Sequence, residues 1–158
     1  MTMKRRAFLL GAFSLAGCAS QKLLPDDYAG ATALIKDSFV RRKQKSWLGG
    51  EYNGIEIFAV ASVDGKALTN ASHVIEGGYS TPVTTKGFER RIPTRPIKVL
   101  LERYYAIRNE TEAPSDLGNK TVTFTPVAGE TYVVRGESVG SNYNFNLWIE
   151  TESGKRVT

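Results

Sequence analysis

The hydrophobic pattern of this chain has two regimes. Ala7 to Ala16 is an almost unbroken apolar run, whereas beyond about residue 30 apolar and polar positions alternate in short stretches. A period of two marks half-buried strands, because successive side chains point to opposite faces of a sheet. Thr121 to Thr125 alternates strictly, Glu130 to Gly136 reads as the next strand, and Tyr143, Phe145, Leu147 and Ile149 alternate with Asn144, Asn146, Trp148 and Glu150. Turn residues separate them at Pro126–Gly129 and Gly140–Asn142, and Ser153-Gly154-Lys155 closes the series before Val157. Three strands at such spacing predict an antiparallel meander within a sandwich.

Upstream, Ala31 to Asp37 predicts a first strand, followed by a polar loop carrying Arg41, Arg42, Lys43 and Lys45 up to Trp47 and Gly49-Gly50. Ile55 to Val63 predicts a long strand with Ile55, Ile57, Ala59, Ala61 and Val63 on one face and Phe58 and Val60 on the other. Asp64-Gly65 follows as a two-residue hairpin signal, since glycine tolerates positive φ, and Lys66 to Leu68 begins the return. Glu76 to Pro96 reads as a long connection that either hides short strands or carries function. Ile97 to Arg108 fits a strand broken at Arg103, and also a helix begun by Pro96; the β-rich surroundings favour the strand. The expected architecture is all-β: a single antiparallel β-sandwich of about six to eight strands.

The first regime is too short to span a membrane permanently. Its ten residues reach roughly 15 Å as a helix, half of a ~30 Å hydrocarbon core. It follows the cationic Lys4-Arg5-Arg6 and ends in Leu15-Ala16-Gly17-Cys18. That order is a secretory leader. Its end resembles the lipobox of bacterial lipoproteins, in which small residues admit a peptidase that cuts before cysteine and the thiol accepts a diacylglyceryl group. The resemblance implies a leader at 1–17, a lipidated Cys18 with its tether at 18–30, and a sandwich at 31–158. Two or more acyl chains, at ~0.8 kcal/mol per buried CH₂, anchor stably where one is marginal. Arg5-Arg6-Ala7-Phe8-Leu9 is similar to the twin-arginine export pattern, although Lys4 and Leu10 depart from it, so general and twin-arginine export both stay open. Ala19 stands where aspartate favours inner-membrane retention, which points to the periplasmic face of the outer membrane.

Charge then loses much of its meaning for partners. The formal net charge is +5, and removing Lys4, Arg5 and Arg6 with the leader leaves +2 over 141 residues. Nucleic acid is not an expected partner; the membrane, through acyl chains on Cys18, and an envelope protein are. Cys18 is the only cysteine, so no disulfide supports the domain.

Val63-Asp-Gly-Lys66, the stretch Thr123 to Arg135, Leu147-Trp-Ile-Glu150 and Gly154-Lys155 together resemble small bacterial lipoproteins with a transthyretin-like or carboxypeptidase-regulatory-like β-sandwich. The resemblance covers about half of the chain after the leader. It implies a fold and an envelope location, and no activity.

Chemistry is sparse. His73 is the only histidine, which excludes multi-histidine metal sites, and no nucleophile elbow, phosphate loop or calcium loop is present. No metal and no cofactor are expected. Glu110/Glu112 and Glu150/Glu152 are carboxylate pairs in surface turns. Arg41, Arg42, Lys43 and Lys45 form a candidate contact for an anionic surface, with Arg90, Arg91 and Arg95 as a second basic run. Tyr79, Phe88, Tyr104 and Tyr143 read as packing residues. The expected function is a non-enzymatic envelope accessory module; a binding module for a small ligand or envelope glycan, with 76–96 as its lip, is the alternative, and a small hydrolase ranks below both.

Overall fold

The structure, a computed structural model, describes residues 23–45, 51–68, 75–76, 84–85, 88–107, 110–112, 118–139 and 145–158. The lipobox with Cys18, Trp47, His73, Tyr79 and Tyr143 lie outside the described residues. Among those described, all regular structure is strand: β1 (Thr32–Lys36), β2 (Ser38–Lys45), β3 (Glu51–Val63), β4 (Lys66–Ala67), β5 (Ile75–Glu76), β6 (Thr84–Thr85), β7 (Glu89–Pro93), β8 (Ile97–Ile107), β9 (Glu110–Glu112), β10 (Asn119–Phe124), β11 (Thr131–Ser138) and β12 (Phe145–Thr151).

Two sheets face each other. One has the order β12-β11-β1-β7; the other runs β10-β8-β3-β2, with β4 beside β3 and β9 beside β8, while β5 and β6 form a separate ladder. Ile35, Ile92, Tyr132, Val134, Leu147 and Ile149 from the first sheet pack on Phe58, Val60, Ile97, Val99, Leu101 and Phe124 from the second in one buried cluster. Burying each large apolar side chain contributes about 1.5–3 kcal/mol, and this layer is the main support of a domain without disulfides. The expected all-β sandwich is the architecture observed.

The favoured strand forms as β8 over Ile97–Ile107, while several other local expectations change. The inward series Ile97, Val99 and Leu101 continues through Arg103, the residue that broke the alternation. Val63 sits on the opposite face from Ile57. The register slips between Val60, opposite Leu101, and Ser62, opposite Leu100, so Ala61 is the extra residue of a β-bulge. A bulge reverses the parity of everything after it. Val63 thus joins Phe58 and Val60 in the main core, whereas Ile55, Ile57 and Ala59 pack with Tyr104 on the other face of the sheet.

The C-terminal strands are not one meander. β11 and β12 pair as a hairpin, but β10 pairs with β8 in the other sheet. The turn between β10 and β11 is an arch over the core edge. Gly129 takes φ +78°, the Val127 amide donates to Tyr132 Oη at 2.9 Å, and the Phe124 and Tyr132 rings meet edge to face at 5.1 Å. Spacing alone does not distinguish an arch from a hairpin. β11 also pairs in parallel with β1, whose other neighbour is β7. The long connection therefore hides a core strand at Glu89–Pro93, with Ile92 fully buried. The Asp64-Gly65 hairpin forms as expected, both residues taking positive φ (51° and 77°). Leu23, within the segment expected as a tether, packs against the core.

Candidate functional site

The basic run Arg41, Arg42, Lys43 and Lys45 is not in a loop. It lies in β2, paired residue by residue with β3 from Ser38 opposite Phe58 to Lys45 opposite Glu51. Four cations in five residues carry no strand signal, yet an outermost strand needs only one neighbour, and charge is common there. Strand parity divides the run. Arg41 and Lys43 share the face of Phe39, whereas Arg42 lies opposite Gly54, on the face of Glu56.

Glu56 engages Arg42 from the inward face of the sheet. The Glu56 carboxylate is buried; its Oε2 accepts from Arg42 Nε at 3.0 Å and its Oε1 from Arg103 Nε. Arg103 also lays its guanidinium 4.6 Å from the centre of the Phe145 ring, on the opposite sheet. The inward charge that interrupts β8 is thus matched by an inward carboxylate on β3 and an aromatic face across the core. A carboxylate buried this way requires partners, because desolvating a lone charge costs several kcal/mol.

The second basic run is also taken apart. Arg90 Nη1 lies 2.7 Å from Asp37 Oδ1, and its guanidinium is 5.5 Å from the Phe88 ring centre; Arg95 pairs with Asp64 at 2.7 Å. Asp37 is the single residue by which the chain leaves β1 in one sheet and enters β2 in the other. Its Oδ1 also accepts the Val60 amide at 3.1 Å, its own amide donates to Phe88 O at 3.0 Å, and its Oδ2 is buried without a hydrogen-bond partner. Beside it Ser38 Oγ donates to the Val134 carbonyl across the core.

The carboxylates read as surface pairs are mostly engaged. Glu150 accepts from Trp148 Nε1 and from Arg135 Nε, each at 2.9 Å, and these two donors hold its carboxyl below the usual carboxylate range. A carboxyl held ionised is a poor general acid. Glu152 accepts from Lys36 Nζ at 3.3 Å, and Lys36 also reaches Glu89 at 3.3 Å. Glu110–Glu112 is strand β9, paired to the end of β8. The Trp148, Glu150 and Arg135 cluster escaped sequence reasoning, although its i, i+2 spacing on a strand was a usable signal; Arg156, which lies 5.0 Å over the Trp148 ring, closes it from the chain's last residues. Tyr104, read as packing, is buried in the second cluster.

Among the described residues no three histidine, cysteine, aspartate or glutamate side chains gather as a metal site, and no helix is long and apolar enough to cross a membrane. What remains solvent-facing and chemically distinctive in the basic run is the edge of β2, where Phe39 is 39% and Val40 37% exposed beside exposed Arg41 and Lys43. Neither known protein families, curated proteins nor solved structures give a match to this chain.

Proposed function

We propose that this chain is a non-enzymatic, lipid-anchored cell-envelope protein, a β-sandwich held by acyl chains on Cys18 at the periplasmic face of the outer membrane and acting as an interaction or accessory module. The observation that carries the reading is the run Leu15-Ala16-Gly17-Cys18 behind a cationic and then apolar leader. Each position has a use in that process: a leucine subsite, two small residues at the cut, and a thiol nucleophile. The two-sheet body agrees with the fold implied by the likeness to lipoproteins with transthyretin-like or carboxypeptidase-regulatory-like sandwiches. The described carboxylates Asp37, Glu56 and Glu150 are bound up in ion pairs within the fold, which favours a binding body over an acid–base catalyst.

In-cell crosslinking and pull-down, comparing the native chain with Cys18→Ala, tests the reading. A stoichiometric protein partner captured by the native chain and lost with Cys18→Ala is the expected result. Equal membrane fractionation of the two forms, with no partner, contradicts it and moves the ligand- or glycan-binding alternative ahead.

A further inference from the structure

We propose that the free edge of β2 is a docking site for an acidic, extended segment of a partner protein, which adds to the six-stranded sheet as a further strand. This deepens the interaction-module reading and rests on it. Among the described residues β3 is the one strand whose backbone pairs with β2, so no described strand occupies its other edge along Ser38–Lys45. An edge of this kind is a template for strand addition.

The side chains define the occupant. Phe39 and Val40 are adjacent, point to opposite faces, and are both more than one-third exposed. Val40 lies on the inward face, so its exposure shows that the opposing sheet does not cover β2 there. A strand laid beside β2 would shield both residues at once, which a flat surface approaching from one side would not. Next along the outer face come Arg41 and Lys43, both exposed. Arg42, Arg90, Arg95 and Arg103 all pair with carboxylates of this chain, whereas no carboxylate among the described residues pairs with Arg41 or Lys43. A complementary strand therefore places an apolar residue opposite Phe39 and acidic residues opposite Arg41 and Lys43. The same charges disfavour a second copy of this chain at the edge, since pairing β2 with itself crowds like charges.

The probe is a blocked, dye-labelled octapeptide, Glu-Thr-Glu-Thr-Glu-Val-Ile-Thr, titrated against the full chain produced in a lipoprotein-processing host and held in neutral detergent. Saturable binding is expected, together with slowed hydrogen exchange of the β2 amides. Arg41→Glu with Lys43→Glu should weaken it by on the order of tenfold or more, because two favourable cross-strand pairs become repulsive. A peptide with lysine in place of glutamate should bind that variant, and an unchanged near-UV circular dichroism spectrum shows that the variant is folded. Equal binding of a scrambled peptide of the same composition overturns the proposal, as mere charge attraction. So does failure of the peptide, whether or not phosphatidylglycerol vesicles bind the Cys18→Ala chain through Arg41 and Lys43. A partner crosslinked in cells that survives the charge reversal overturns the β2 site while leaving the module reading intact.

Discussion

Arg90 on β7 lies 2.7 Å from the carboxylate of Asp37, the residue at which the chain passes from one sheet to the other. Because Asp37 Oδ1 also accepts the Val60 amide, that contact joins the edge of the four-stranded sheet to the middle of the other one. The Asp37 side chain is fully buried and Arg90 nearly so, at 14%. Removing the cation should leave a desolvated carboxylate behind. Arg90→Ala is expected to cost about 3–5 kcal/mol, and Asp37→Asn distinctly less, because the amide oxygen still serves Val60. Urea denaturation midpoints at constant m-value check the order.

This corner is only partly legible in the sequence. Strict alternation at Thr121–Thr125 and the Asp64-Gly65 turn are local signals, and both formed as expected. The sheet to which a strand belongs is not local. β10 and β11 part company because a six-residue connection can serve as a hairpin or as an arch, and the arch here brings Tyr132 and Phe124 together in the core. Val63 changed face because one bulged residue, Ala61, resets the period, and a bulge leaves no mark in a hydrophobic pattern. The basic residues of β2 looked like a loop because an edge strand can be polar on both faces. Arg103 did stand out, yet its partner Glu56 emerges only from the pairing of β3 with β8.

Glu56 should respond unequally to the loss of its two arginines. Arg103 is 19% exposed and stacks on Phe145, whereas Arg42 is 44% exposed. Arg103→Ala is expected to lose both the charge and the packing across the sheets, about 3 kcal/mol or more, and Arg42→Ala about 1 kcal/mol or less. A double-mutant cycle with Glu56→Gln reports the coupling of each arginine.

Gly136 has no room for a side chain. It faces inward opposite Leu147, and a Cβ there would lie 2.5 Å from Phe58 Cε1 and 2.8 Å from Leu147 Cδ2. Gly136→Ala should therefore overpack the space between the sheets and cost about 1–3 kcal/mol. Adding Phe58→Leu should return part of that loss; thermal denaturation of the single and double variants measures it.

Acid should weaken the fold through two defined carboxyls. The Lys98 amide, and after it Arg95, hold Asp64 below the ordinary carboxylate range although burial opposes them, and Trp148 and Arg135 do the same for Glu150. A carboxyl whose folded pKa is depressed contributes stability above its unfolded value and loses it as the pH falls through the folded one. The denaturation midpoint should drop on acidification below about pH 4, and Asp64→Asn with Glu150→Gln should flatten that limb. Lys36 acts in the opposite direction. Glu89 and Glu152 raise its pKa, so its contribution is present below the ordinary lysine value and fades as the pH rises through the folded one.

The proposed lipid anchor depends on Cys18. The intact mass of the protein recovered from the membrane fraction of a lipoprotein-processing host tests it directly. The predicted species begins at Cys18, lacks residues 1–17 and carries a diacylglyceryl group, with or without a third acyl chain. A chain that retains Met1 to Gly17, or one cut elsewhere with an unmodified Cys18 thiol, would contradict the account.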